Sequence, residues 1–192
     1  MSNYTEKDTN PMSWDEFDHL IDVLIEKINK YFNKQNQKVD VISQLHRTGG
    51  IIGSTLAIKM KIIPLLPVQF KYSYCPTKIT QIISVPDILI DVPEDMNIIL
   101  AEGNTSSGSV AKEAAKVIKA KYPKAKIFLA TLTKVYSGFE ELEGIEKVFY
   151  GTMTNEKFKA SPEEVAKLGL REGITIFPWE SAKEELSDIN NG

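Results

Sequence analysis

Apolar residues recur at helical spacing through Phe17, Leu20, Ile21, Leu24, Ile25 and Ile28, marking one face of an amphipathic helix. Ser13-Trp14-Asp15-Glu16 stands just before them as a capping box, with a serine hydroxyl and a glutamate three residues on to satisfy free backbone donors. The spacing predicts a first helix running to about Phe32. Beyond it the pattern shortens. Residues 39–45 form a short apolar run, Arg47-Thr48-Gly49-Gly50 reads as a turn, and 51–60 can be helical. Residues 65–74 alternate as a strand does, 79–84 offer another, and Cys75-Pro76-Thr77 separates them as a turn.

Ile98-Ile99-Leu100-Ala101 is apolar on both faces, the mark of a buried strand. A Gly/Ser-rich stretch over residues 102–109 follows, then a helix over 110–122 and a second buried strand over 126–132. Strand, loop, helix and strand in that order make a βαβ crossover, which implies a parallel sheet. A short strand is predicted at 148–150 and a late one at 174–177. Between them Ser161-Pro162-Glu163-Glu164 starts a short helix that Gly169 ends. The fold class read from this pattern is α/β, with a flexible polar leader over 1–12, one domain over 13–180 and a polar, helical tail over 181–192.

Composition narrows the function. The 192 residues carry 23 basic and 26 acidic side chains, a formal net charge of −3, which argues against a broad duplex-binding surface and makes a nucleic-acid partner unlikely. One cysteine, Cys75, excludes an intrachain disulfide and a multi-cysteine zinc site. The leader lacks the apolar core of a signal peptide and no apolar run approaches membrane-spanning length, so a cytoplasmic protein without a membrane partner is expected. Arg47 and Arg171 are the only arginines. Arg47 falls in a glycine-rich turn, whereas Arg171 has no comparable placement and is expected to be exposed.

The stretch Glu102-Gly103-Asn104-Thr105-Ser106-Ser107-Gly108-Ser109 presents small residues and hydroxyls ahead of a helix N-terminus, where amides and the helix dipole favour an anion. Three phosphate-binding schemes compete for it. A P-loop would need a lysine and a hydroxyl where Ser109 and Val110 stand, and a dinucleotide fingerprint would need a different glycine spacing. The third scheme fits better. Residues 98–111 resemble the ribose-phosphate motif of the type I phosphoribosyltransferases, with Glu102 at the first acid of that motif, Gly103 in place of the second, and Ser107-Gly108 in place of Thr-Gly.

Other segments agree in order. Residues 39–57, with His46-Arg47-Thr48-Gly49-Gly50, look like the family's early strand and pyrophosphate loop, and Lys71-Tyr72-Ser73-Tyr74-Cys75 is similar to its mobile catalytic loop. Residues 126–134 resemble the strand that ends in a base-reading lysine, and Ile176-Phe177-Pro178-Trp179-Glu180 resembles the ending of the xanthine/hypoxanthine-guanine branch. The resemblance implies a parallel-sheet, Rossmann-like core with a small hood formed by terminal segments. It implies transfer of 5-phosphoribose from phosphoribosyl pyrophosphate to a nucleobase, an oxopurine, releasing pyrophosphate in purine salvage, with Mg²⁺ as cofactor and a homodimer as the assembly.

On that resemblance Arg47, Thr48 and Gly49 hold pyrophosphate, Ser106, Ser107, Gly108 and Ser109 hold the 5′-phosphate, and Glu102 takes the ribose hydroxyls and is the one candidate to touch the metal. Ser73 and Tyr74 cover the reacting centre as catalytic residues, while Lys134 and Ile174 meet the base. Gly103 removes a carboxylate from the ribose site, and Ser106 stands where purine enzymes often carry an aspartate. An alternative therefore stays open: a catalytically inactive relative that senses a nucleotide or regulates, with RNA as a further partner.

Overall fold

The structure, a computed structural model, describes residues 4–74, 76–156 and 159–191. After a single 3₁₀ turn at Glu6–Asp8 come β1 (Thr9–Pro11), α1 (Trp14–Lys34), β2 (Val41–His46), α2 (Thr48–Met60), β3 (Leu65–Tyr74) and β4 (Thr77–Ile83). Then follow β5 (Asn97–Thr105), α3 (Ser109–Lys121), β6 (Lys126–Val135), β7 (Lys147–Asn155), α4 (Pro162–Leu168), β8 (Arg171–Glu172), β9 (Ile174–Ile176) and α5 (Ala182–Asn191). The main sheet has the order β4-β3-β2-β5-β6-β7-β8. All its pairings are parallel except β3 with β4.

Both faces of this sheet are covered, which is why its central strands read as continuous apolar runs. Ile99 and Ala101 of β5 face α1 and α2, where Leu24, Ile28, Ile52 and Leu56 meet them. Ile98 and Leu100 face α3 and pack with Ala111, Ala114, Ala115 and Ile118. The order of the strands reverses at β2, since the chain passes from β2 outward to β3 and then returns to lay β5 on the other side. The helices that follow these two strands lie on opposite faces, so their N-termini diverge and leave a crevice at the carboxyl ends of β2 and β5.

Several boundaries differ from the pattern-based expectation. Residues 47–50 are not a free turn, because α2 starts at Thr48 and takes both glycines into its first turn. Gly49 is buried against β5, where any Cβ would overlap the Ala101 carbonyl oxygen. Residues 102–105 belong to β5 rather than to a loop, with Glu102 paired to Thr131 and Asn104 to Thr133. β7 likewise continues five residues past Tyr150 to Asn155. In both strands polar residues end the apolar signal before the backbone ladder ends, since hydrogen bonding to a neighbouring strand does not require an apolar side chain.

The residues read as a flexible leader supply part of the hood. β1 pairs in parallel with β9, Thr9 opposite Ile174 and Pro11 opposite Ile176. Below them Ile174, Ile176 and Leu186 of α5 form a small core with Tyr4, Ala182 and Ile189. The Tyr4 N–H donates to Asn190 Oδ1 at 2.9 Å, and Asn190 Nδ2 donates to the Tyr4 carbonyl at 2.8 Å. Polarity hid this strand because backbone hydrogen bonds and a partner at the other end of the chain hold it.

Arg171 is not an exposed cation. Its side chain is only 16% accessible, pairs with Glu16, and donates to Asn10 Oδ1 at 2.8 Å. The Ser13 hydroxyl accepts the Glu16 N–H as the capping pattern predicts, but the Glu16 carboxylate goes to Arg171. This ties the start of α1 to β1 and β8. The second cap forms completely, with Ser161 and Glu164 satisfying each other's backbone donors, and Gly169 ends α4 in the left-handed conformation at φ 60°.

Candidate active site

The crevice at the strand reversal is a cleft of about 670 Å³. Two helix starts point into it. Neither N-cap residue of α2 and α3 caps with its side chain and neither first turn carries an acid, so first-turn N–H groups are presented to an anion, although those of Gly50 and Ser109 donate to the Arg47 carbonyl and the Ser107 hydroxyl. At α3 the approach is made by Gly108 with φ 68°, and a Cβ on it would overlap the Leu142 side chain. The hydroxyls of Ser107 and Ser109 lie 3.0 Å apart across that turn. At α2 the peptide between His46 and Arg47 is cis, and Arg47 is exposed.

Arg47, Thr48, Gly49, Glu102, Ser106, Ser107, Gly108, Ser109 and Ile174 all line this one cleft. Two other expected residues do not line it. Ser73 is paired with Lys78 across the β3–β4 hairpin, and it is the neighbouring Tyr72 that lines the cleft. The side chain of Tyr74 and all of Cys75 lie outside the described residues. Lys134 does not line the cleft; its ammonium sits 4.7 Å from the Phe139 ring centroid and 5.8 Å from that of Tyr150. Burial there lowers its pKa, and Glu140 partly restores it.

The cleft also contains residues with no role assigned from the sequence. Asn104 and Glu156 line it from β5 and from the end of β7, and Glu180 and Glu185 line it from the hood. Glu180 bridges the hood to α2, accepting the Phe177 N–H at 3.0 Å and the Thr48 hydroxyl at 3.4 Å. Burial raises the Glu180 carboxyl above its ordinary value, opposed by the Phe177 N–H and by Arg47. Burial raises Glu185 too, Asp188 adds to the shift and Arg47 opposes it. Arg47 is the one permanent cation among the described lining residues. It therefore faces two hood carboxylates that a bound anion would displace from its field.

Gly103 is explained by packing rather than by a missing acid alone. A Cβ there would overlap Thr48 Cγ2 and come within 3.2 Å of Phe177. The space of a second acid is thus taken by α2 and by the hood, where Phe177 stacks on Trp179 with centroids 5.1 Å apart.

Glu102 stands half-buried at the carboxyl end of β5 and lines the cleft. Burial pushes its carboxyl up to about 7, against the Thr105 hydroxyl, which donates to it at 2.8 Å. The sign of the linkage follows. In the unfolded chain this group titrates near 4.5, so between about 4.5 and 7 the folded state binds more protons, and Glu102 subtracts stability as the pH rises through that window. Glu102→Gln removes the penalty. The melting temperature of the variant relative to the parent should climb between pH 5 and pH 8 by scanning calorimetry, and a flat difference would contradict a buried, proton-retaining carboxyl.

No family model matches the chain and no curated protein matches it. Solved structures do. A purine phosphoribosyltransferase from Pyrococcus horikoshii superposes with a TM-score of 0.64 at 21% identity, over 91% of this chain and 95% of that one. The fold is that of the type I phosphoribosyltransferases. The Helicobacter pylori xanthine-guanine-hypoxanthine phosphoribosyltransferase shares the phosphoribosyltransferase fold at a TM-score of 0.59 and 14% identity, over 93% and 98% of the two chains. A Neisseria gonorrhoeae protein with bound ppGpp matches at 0.61 and 17%, over 98% of each. No helix among the described residues is long and apolar enough to cross a membrane.

Proposed function

We propose that the protein transfers 5-phosphoribose from phosphoribosyl pyrophosphate to a nucleobase of the oxopurine class, forming a C1′–N bond as the C1′–O bond to pyrophosphate breaks. The observation that carries this reading is the convergence of Arg47, Glu102 and the Ser106–Ser109 turn on one cleft between two uncapped helix starts. The α3 turn suits a 5′-phosphate, since amides and three hydroxyls surround it. Arg47 and the α2 amides suit the pyrophosphate, and Glu102 suits the ribose hydroxyls between them. The transition state has oxocarbenium character, so positioning and exclusion of water are the main demands on the protein. In this reading the β3–β4 hairpin brings Ser73 and Tyr74 over the reacting centre, and Ile174 packs on the base.

No group of three or more metal-ligating side chains occurs among the described residues. The donor set nevertheless fits a substrate-borne Mg²⁺, which prefers oxygen ligands and keeps several waters. Glu102 would be the side chain to touch such an ion, which would neutralise charge on the departing pyrophosphate. Isothermal titration with phosphoribosyl pyrophosphate in the presence of Mg²⁺ tests the reading. Saturable binding is expected, and no heat at millimolar ligand would overturn it.

A second reading, a nucleotide sensor without turnover, is favoured by two observations: the packing at Gly103 leaves no room for a second acid, and Ser106 cannot act as an acid or base near neutral pH. The bound ppGpp of the Neisseria relative is consistent with it. An RNA partner gains no support, because Lys116, Lys119 and Lys121 on α3 pair with Glu113, Glu146 and Asp87. Nucleotide binding with no conversion of guanine, hypoxanthine or xanthine to nucleotide would favour the sensor.

A further inference from the structure

Glu102 is the one acid of β5, and a threonine hydroxyl holds it. The Thr105 hydroxyl donates to Glu102 Oε2 at 2.8 Å, and no other hydrogen bond or ion pair reaches that carboxylate among the described residues. Thr105 is the last residue of β5 and directly precedes the Ser106–Ser109 turn. It is only 1% exposed, so its hydroxyl must find its partners inside the protein.

Thr105 is in turn fixed from β6. Its hydroxyl lies 2.9 Å from that of Thr131, which is fully buried. The Thr131 hydroxyl donates to the carbonyls of Gly103 at 3.0 Å and Thr133 at 2.8 Å, so its proton is taken and its oxygen is left to accept. Thr105 has one hydroxyl proton for two acceptors, and a carboxylate outcompetes a neutral oxygen for it. Oε2 of Glu102 is thereby held against the strand. Oε1 is the oxygen left for a ligand in the cleft that Glu102 lines.

We propose that Thr105 is a positioning residue for ribose recognition, holding Glu102 so that one carboxylate oxygen meets the ribose hydroxyls while the 5′-phosphate settles on the adjoining turn. The inference rests on the phosphoribosyl-transfer reading, which puts the ribose at Glu102, and names what lets a single acid serve there. Gly103 has no side chain, so Glu102 is the only carboxylate that β5 can offer to the sugar. A glutamate free to rotate loses that freedom when a ligand binds, whereas one already held does not. Thr105 is also continuous with the phosphate turn, so one residue sets both the sugar contact and the start of the phosphate contact.

Calorimetric titration of GMP and of 2′,3′-dideoxy-GMP, both without Mg²⁺, reads the ribose contact as a ratio in which base and phosphate contacts cancel. Inorganic pyrophosphate, and phosphoribosyl pyrophosphate with Mg²⁺, are titrated in parallel. The parent should prefer GMP by at least about tenfold, the scale of a hydrogen bond to a charged group. Thr105→Val should bring that ratio to within about threefold and leave pyrophosphate affinity unchanged. Thr105→Ser, which keeps the hydroxyl, should retain the parent's ratio. General loss of structure would instead weaken both nucleotides and pyrophosphate alike. No preference for GMP in the parent, an unchanged ratio in Thr105→Val, or a ratio that Thr105→Ser fails to retain overturns the role of Thr105. Phosphoribosyl transfer stands without it if phosphoribosyl pyrophosphate binds. Failure of phosphoribosyl pyrophosphate to bind, with the nucleotide ratios as expected, overturns phosphoribosyl transfer and leaves Thr105 serving the ribose site of a nucleotide sensor.

Discussion

Gly103→Asp, which would restore the second acid of the phosphoribosyltransferase motif, is expected to destabilise the protein rather than strengthen its site. The new Cβ would overlap Thr48 Cγ2 and press on Phe177, both held in place, one by the first turn of α2 and the other by its stack on Trp179. Overpacking of this kind, together with a carboxylate set against an aromatic edge, should cost about 3 kcal/mol. For a chain of this size that lowers the melting temperature by roughly 6–12 °C. Thr48→Ser removes the obstructing methyl and keeps the hydroxyl that bonds Glu180, so the double variant should recover part of the loss. Thermal denaturation of the two variants decides the matter: a Gly103→Asp protein as stable as its parent would show that the second acid can be accommodated.

Arg47→Ala carries the largest expected effect on binding. The side chain is exposed, and the fold should survive its loss with an unchanged circular dichroism spectrum. Losing charge-assisted hydrogen bonds to a phosphate costs about 1.5–3 kcal/mol, and removing the one described permanent cation of the cleft leaves Glu180 and Glu185 to repel an incoming anion. Affinity for phosphoribosyl pyrophosphate should fall roughly 100-fold. Titration calorimetry of the variant checks this, and a loss under about threefold would mean that Arg47 does not meet the pyrophosphate.

The layered core was legible because its signals are local. Helical spacing marked α1, strands buried on both faces marked β5 and β6, and the serine cap marked α4. The part of the cleft lined by Arg47-Thr48-Gly49 and Ser106-Ser107-Gly108-Ser109 was legible for a related reason: these segments are contiguous, and glycine with small hydroxyl residues ahead of a helix has a physical meaning in sequence. The rest of the cleft lining is built differently. Asn104, Glu156, Glu180 and Glu185 come from three separate parts of the chain and meet only through the sheet order and the hood, so no spacing betrays them. Lys134 illustrates the converse, since a lysine at a strand end has the right address for a base reader, but its direction is set by Phe139 and Tyr150, which the strand pattern does not place. Arg171 was misread for the same reason. Its partners Glu16 and Asn10 lie far back in the chain, and a two-residue strand leaves no periodicity to notice.

The hood also sets an order of events during synthesis. Tyr4 and Asn190, which hydrogen-bond each other, are 186 positions apart, and β1 pairs only with β9. Residues 9–11 must therefore wait until residues 174–176 have been made before they find their strand partner. Strands β2 to β7 and their helices can assemble in the meantime, with the starts of α2 and α3 already formed and the roof of the cleft still open. A nascent chain stalled before residue 174 would carry the starts of α2 and α3 without Ile174, Phe177, Glu180 or Glu185, so the floor of the cleft should form before its roof as the protein is made.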